Sequence, residues 1–138
     1  VYKRQSEPSE AGFKEALEAM RSEIEALTGI TTSLVTVGNA PWNDRVEALT
    51  MATREALLNA AKHAGVDDVA VYAEVADEAI TVFVRDRGVG FEPEQVAPDR
   101  RGIADSMQAR LQQHAGSGTI RSSPGGGTEV RLDLPLAP

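Results

Sequence analysis

Cysteine is absent from the 138 residues, which excludes disulfide staples, thiolate metal sites and a cysteine nucleophile, and fits a reducing cytoplasm. Histidine is scarce: His63 and His114 are the only two. Charges interrupt every apolar stretch within a few residues, so no segment is suited to span a bilayer, and the first residues lack a basic-then-apolar signal pattern. Positive charge is also in short supply. With 14 Lys and Arg against 21 Asp and Glu, the net charge of −7 argues against a general nucleic-acid binder, whose phosphate contacts need clustered cations. Any polyphosphate must therefore be held locally, by backbone amides, a metal or a few placed cations.

What is present suits one domain, since 41% apolar residues can fill a single core at this length. After a polar start from Val1 to Ser9, apolar residues recur at Phe13, Leu17, Met20, Ile24 and Leu27, the spacing of an amphipathic helix ended by Gly29. This seam covers only two heptads, too short for a coiled coil, and is read as core. Ile30 to Val37, rich in Thr and Val, reads as a strand. A second helix follows, capped by Asn43 or Asp44, with Val46, Leu49, Leu57, Ala60 and Ala64 as its stripe and Gly65 as its stop. The period then changes to two at Val69, Val71, Ala73 and Val75 and again at Ile80, Val82 and Val84, which predicts a hairpin. From Asp86 to Arg101 the chain carries glycines, two prolines and charges without apolar period, the pattern of a long loop. Gly102 to His114 returns to helical spacing through Ile103, Met107 and Leu111, and Thr119–Ser122 with Thr128–Leu136 predict a closing pair of strands. The expected class is α/β: a two-layer sandwich with helices on one face of a mixed sheet.

Four short patterns carry possible chemistry. In Arg54-Glu55-Ala56-Leu57-Leu58-Asn59-Ala60-Ala61-Lys62-His63-Ala64, Glu55, Asn59 and Lys62 fall within roughly 60° of one another on the helix, away from Leu57. A solvated helix face explains this patch; so does a site in which a carboxylate and an amide oxygen hold a hard cation such as Mg²⁺ while Lys62 meets phosphate. Arg85-Asp86-Arg87-Gly88-Val89-Gly90-Phe91 ends an apolar strand with one carboxylate at the sheet's rim and glycines that let backbone approach a flat ligand. An ordinary turn has the same composition. Arg100-Arg101-Gly102-Ile103 leads a loop into a helix start, where free amides, the helix dipole and two arginines suit an anion. Ser123-Pro124-Gly125-Gly126-Gly127-Thr128 enters the last strand and is by itself a hairpin turn.

Taken together and in this order, R-E-A-L-x-N-x-x-K-H-A, D-R-G-V-G-F, the loop-to-helix glycine and G-G-G-T resemble the ATP-binding domain of bacterial sensor histidine kinases. That domain has the Bergerat fold, shared with gyrase-type topoisomerases, mismatch-repair ATPases and a heat-shock chaperone family. The resemblance covers roughly Ile30 to Leu136, and the K-H-A ending with G-I-x-x-S-M-x-x-R is similar to the subfamily that pairs with LuxR-type response regulators. It implies two parts: residues 1–29 as linker and helix leading from a dimerisation hairpin, and residues 30–138 as the ATP-binding domain. It implies ATP and Mg²⁺ as ligands, with Asn59 a Mg²⁺ ligand, Glu55 its acidic neighbour in the metal and water shell, and Lys62 a phosphate contact. Asp86 would accept from the adenine amino group with Thr128 supporting it through water, Gly88 and Gly90 would shape the adenine pocket, and Gly102 would begin the helix under the phosphates. Residues Phe91 to Arg101 resemble the ATP lid. Many relatives have G-x-G at the lid's end; here Arg100 stands two before Gly102, so Arg100 or Arg101 is expected to replace backbone amides with charge.

The same resemblance implies partners: the protein's own dimerisation domain carrying the acceptor histidine, a response regulator, a homodimer in the full-length protein, and no nucleic acid. It implies a cytoplasmic domain of a membrane-anchored sensor. His63 lies in the nucleotide helix and His114 at a helix C-terminus, so neither is expected to be the acceptor. Two rival functions share the pocket: an anti-sigma-factor-type serine kinase, and a non-catalytic nucleotide-binding interaction module.

Overall fold

A computed structural model describes residues 12–63, 65–90 and 107–136. Helix α1 spans Phe13–Thr28 and helix α2 Asp44–His63; the strands are β1 (Thr31–Val37), β2 (Asp68–Val75), β3 (Ala79–Asp86), β4 (Ser117–Ser122) and β5 (Thr128–Pro135). The expected loop from Phe91 to Arg101, and with it Arg100, Arg101, Gly102 and Ile103, lies outside the described residues, as does Ala64. Residues 107–112 are helical and end in a turn at 113–115, slightly short of the expected His114. The reason is local: Ala115 adopts a positive φ of 64°, and the Gly116 amide then donates back to Leu111 O at 2.8 Å, closing the helix.

The five strands form one sheet in the order β1-β2-β3-β5-β4. β1 runs parallel to β2, and every other neighbour is antiparallel, so the sheet is mixed. Alternation along the strands sends Val69, Val71 and Ala73 from β2, Ile80, Val82 and Val84 from β3, and Val130, Leu132 and Leu134 from β5 to one buried face. Phe13, Leu17, Met20 and Ile24 of α1, the Val46–Leu57 stripe of α2, and Met107 and Leu111 close over that face as a single cluster. Fully burying a side chain such as Leu132 contributes about 1.5–3 kcal/mol. Leu27, which the helical spacing placed on the apolar seam, is instead 64% exposed; the chain turns at Gly29 and Ile30 enters the core in its place. The opposite sheet face is polar and aromatic, with Tyr72, Phe83, and the guanidinium of Arg85 stacked 4.8 Å from the Phe83 centroid.

Two polar devices set the direction of the helices. The first-turn donors of α1 are met by the segment that follows β1: Phe13 N–H donates to Ala40 O at 2.9 Å and Lys14 N–H to Asn39 Oδ1 at 2.9 Å. Glu15 folds back to accept from the Gly12 amide at 2.7 Å. Hydrogen bonds from Asn39 and then from that amide hold its carboxyl below the usual range. Asn43 is the cap of α2, its Oδ1 accepting from Val46 N–H at 2.9 Å. Arg45, in the first turn, donates to Pro135 O at 2.6 Å and to His114 O at 2.7 Å. This fixes the start of α2 beside the end of β5.

Candidate functional site

That anchor determines what meets at the other end of the domain. β5 is antiparallel to β3, with Ala79 opposite Pro135 and Asp86 opposite Thr128. Starting level with Pro135, α2 therefore runs toward the Asp86 end of β3. Asn59 lies fourteen positions beyond Arg45, about 21 Å along a helix. Asp86 lies seven beyond Ala79, about 23 Å along a strand, so the two arrive at the same edge. Contact at the next turn agrees: a Cβ on Gly65, just past α2, would come 4.0 Å from Val89 Cγ1.

At this edge Asp86, Thr128 and Ser122 form one rung across β3, β5 and β4. One carboxylate oxygen of Asp86 accepts from the Gly88 amide at 2.8 Å, an Asx-type turn that fixes the side chain and leaves the second oxygen for another donor. Ser122 Oγ lies 2.8 Å from Thr128 Oγ1 and 3.0 Å from Gly127 O, so the Thr128 hydroxyl is held in place rather than free to rotate. The cleft here is open, about 480 Å³, and Asp86, Ser122 and Thr128 are among its lining residues.

The two glycine patterns prove to be parts of one another. Gly90 has a φ of 64°, and a Cβ there would lie 2.0 Å from Ser123 O. Gly127 has a φ of 76°, and a Cβ there would lie 2.3 Å from Asp86 O. The Gly125 amide donates to Val89 O at 2.6 Å, sealing the contact. The strand-end loop and the hairpin loop can approach this closely only because side chains are missing. In the sequence Gly90 reads as room for a flat ligand; its steric requirement in the fold comes from Ser123. Gly88 contributes its amide to Asp86.

On α2 the Glu55, Asn59 and Lys62 patch is not a simple solvated face. Lys62 is exposed, but Glu55 keeps only 24% of its side chain accessible. Asn59 is half-buried, and its Oδ1 is fully buried with no hydrogen-bond partner among the described residues. A buried amide oxygen without a donor costs about 1–3 kcal/mol, so the position is poor as structure and suited to a ligand. Glu55, one turn earlier, forms a close ion pair with Arg110 from the 107–112 helix. No group of three His, Cys, Asp or Glu side chains gathers among the described residues. A divalent cation at Asn59 and Glu55 would thus complete its shell with phosphate and water oxygens, as Mg²⁺ commonly does.

Two residues at the site escaped the sequence argument. Arg110 is visible in the sequence only as the last letter of G-I-x-x-S-M-x-x-R, with no assigned partner. Ser122 could have been found from strand register, being opposite Thr128 once β4 and β5 are paired. Among the described residues, no helix is long and apolar enough to cross a membrane.

Comparison with known proteins bears on the family and the fold. Residues 44–138 match the family described as histidine kinase-, DNA gyrase B- and HSP90-like ATPases. The chain is 29% identical over 127 residues to the signal transduction histidine-protein kinase/phosphatase DegS of Brevibacillus brevis, covering 91% of this chain and 33% of that protein. It is 37% identical over 83 residues to the nitrate/nitrite sensor protein NarQ of Escherichia coli, covering 59% of this chain and 14% of that one. It thus spans a third or less of the length of these two relatives. In fold it resembles the histidine kinase domain of a blue-light activated histidine kinase from Erythrobacter litoralis, with TM-score 0.72 and 22% identity over 91% of this chain and 61% of that one. The mycobacterial sensor histidine kinase MprB is equally similar, with TM-score 0.72 and 16% identity over 92% of this chain and 96% of that one. With the matched segment running from the start of α2 to the end of the chain, and the rim of Asp86, Thr128 and Asn59 inside it, this protein belongs to the histidine kinase-, DNA gyrase B- and HSP90-like family of ATP-binding domains.

Proposed function

We propose that the chain is the ATP-binding catalytic domain of a two-component sensor histidine kinase, which passes the γ-phosphoryl group of Mg²⁺·ATP to a histidine on a separate dimerisation domain. The observation that carries the reading is the buried Oδ1 of Asn59, without a partner among the described residues, at the same edge as the Asp86 carboxylate, which engages only one oxygen among them. One group suits the metal on a triphosphate and the other an adenine amino group.

In this reading Asp86 accepts from the adenine amino group through the oxygen that Gly88 leaves free, and Thr128, steadied by Ser122, supports it through water. Asn59 and Glu55 offer hard oxygens to Mg²⁺, and Lys62 offers an ammonium to the phosphates. When bound, Mg²⁺ neutralises phosphate charge that would otherwise oppose an incoming nucleophile. By resemblance, Arg100, Arg101, Gly102 and Ile103, which lie outside the described residues, are the proposed phosphate contacts at the end of the lid. Transfer forms an N–P bond to a neutral imidazole and breaks the bond to the ADP oxygen. His63 and His114 do not serve as acceptors: His63 is built into α2, and His114 stands in the turn whose carbonyl holds Arg45. The dimerisation domain, a response regulator and a second copy of the full protein are the proposed partners, and a cytoplasmic location under a membrane sensor is the proposed setting.

The test is incubation with γ-labelled ATP. The isolated chain should bind nucleotide and stay unlabelled, while a helical hairpin bearing an acceptor histidine should become labelled in its presence, faster as hairpin concentration rises. Acid-labile label on this chain, removed by His63→Gln or His114→Gln, would contradict the assignment. Label on a serine of a partner protein would favour a serine kinase, and nucleotide binding without transfer to any hairpin would favour an interaction module.

A further inference from the structure

Glu55 and Arg110 come from elements that are each fixed in the core. Ala52, Ala56 and Leu57 bury α2 on either side of Glu55, while Met107 and Leu111 bury the 107–112 helix on either side of Arg110. Both backbones are thus anchored in the core, and the fold brings the two side chains together. It is also partly withdrawn from water, with 34% of the Arg110 side chain and 24% of the Glu55 side chain accessible. Partial desolvation offsets much of the attraction, so a pair held at one oxygen adds only modestly to stability. Stability is therefore a weak reason for an arginine here.

The contact engages one oxygen only. Arg110 Nη1 meets Glu55 Oε1, and Oε2 has no partner among the described residues. One helical turn later stands the buried and equally partnerless Asn59 Oδ1. Positions four apart share a helix face, so the arginine leaves two hard oxygens on adjacent turns of the same side. A carboxylate without such a clamp can rotate about three side-chain torsions. Held at one oxygen by a planar guanidinium, it presents the other in a restricted arc.

We propose that Arg110 is a positioning residue for the cation shell: it holds Glu55 by one oxygen so that the other faces, with Asn59 Oδ1, the Mg²⁺ that accompanies ATP. This rests on the reading of the site given above. Arg110 touches neither nucleotide nor metal and acts through Glu55. It also gives the carboxylate a counter-charge while no cation is bound, and ties the helix that follows the lid to the metal-binding face of α2.

Calorimetric titration with ATP in Mg²⁺ and in EDTA, on wild type, Arg110→Met, Arg110→Lys, Glu55→Gln and the Arg110→Met/Glu55→Gln pair, tests it. Methionine keeps the aliphatic stem and removes the charge. Arg110→Met should lower the Mg²⁺-dependent gain in ATP affinity about 10-fold or more, the usual effect of losing a residue that orients a metal ligand. Its affinity in EDTA and its ligand-free melting midpoint should stay near wild type. Arg110→Lys should recover part of the gain, and Arg110→Met should add nothing in the Glu55→Gln background. Equal loss of affinity in EDTA, a fully retained Mg²⁺ gain, or losses that multiply in the double variant would each overturn the role of Arg110. A wild-type chain with no Mg²⁺-dependent gain would instead contradict the reading of the site.

Discussion

Two open cavities of almost equal size sit at opposite ends of the sheet. One, of about 500 Å³, lies between the end of β1, the β2–β3 turn and the start of α2, where Asn39, Asn43 and Val46 are among its lining residues. The other, of about 480 Å³, contains Asp86 and Thr128. Volume does not distinguish them; the polar side chains at the two ends of α2, which at the second end lie outside the cavity's own lining, do. At the first end Asn39 serves the start of α1, Asn43 caps α2 and Arg45 fastens the last strand. At the second end, among the described residues, Asn59 Oδ1 is buried without a donor, Asp86 engages one oxygen of two, and Glu55 does the same. Polar groups that satisfy one another hold structure, and a buried group left unsatisfied at a cost in free energy, such as Asn59 Oδ1 on the proposed nucleotide face, is a candidate for a ligand.

The sharpest way to break this contrast is Asn59→Ala. It should abolish the Mg²⁺-dependent part of ATP affinity while leaving the ligand-free melting midpoint unchanged or raised, because a buried oxygen without a partner is removed. Calorimetry and a thermal melt check both halves, and a large fall in midpoint would make Asn59 structural. Asp86→Asn should come next. Losing a charge-assisted acceptor corresponds to about 1.5–3 kcal/mol, or roughly 10- to 100-fold in ATP affinity, with the fold retained in circular dichroism.

At the satisfied end the outcomes should reverse. Asn43→Ala removes the cap of α2 and should cost about 1 kcal/mol in denaturant unfolding, with ATP affinity within twofold of wild type. An affinity loss as large as that of Asp86→Asn would erase the distinction between the ends. The smallest effect concerns Glu15. Because its carboxyl is held below the usual range in the folded chain, its contribution is present above the unfolded pKa and is lost as pH falls through the folded one. Glu15→Gln should therefore flatten slightly the decline of stability in acid, measured by urea unfolding against pH, and leave nucleotide binding alone.

Much of this architecture is legible in the sequence because each element is locally consistent. The period of two in Val130, Leu132 and Leu134 and the 4-3 spacing of Phe13, Leu17, Met20 and Ile24 state their buried faces directly. What local pattern cannot state is which strands are neighbours. β3 pairs with β5 across residues 87–127, and that pairing alone sets Asp86 opposite Thr128. Leu27 fits the helical period yet points to solvent, since period records a direction and not how far the covering sheet extends. The glycines show the same limit. Gly90, at a strand end, and Gly127, in a hairpin turn, sit where two loops touch, a contact that neither local pattern states. Motif and chemistry single out Asn59 and Asp86 as candidates, but the ion pair from Glu55 to Arg110 is a tertiary event, invisible until α2 and the 107–112 helix are packed.

The most direct test of the central claim, that the Asp86 end is an adenine site, is a calorimetric comparison of ATP and GTP with the ligand-free chain in Mg²⁺. The Asp86 carboxylate can accept from the adenine amino group and would face the carbonyl oxygen of guanine. ATP should bind at least about tenfold more tightly than GTP, a preference that Asp86→Asn removes. Equal affinity for the two nucleotides in the wild-type chain would contradict the account.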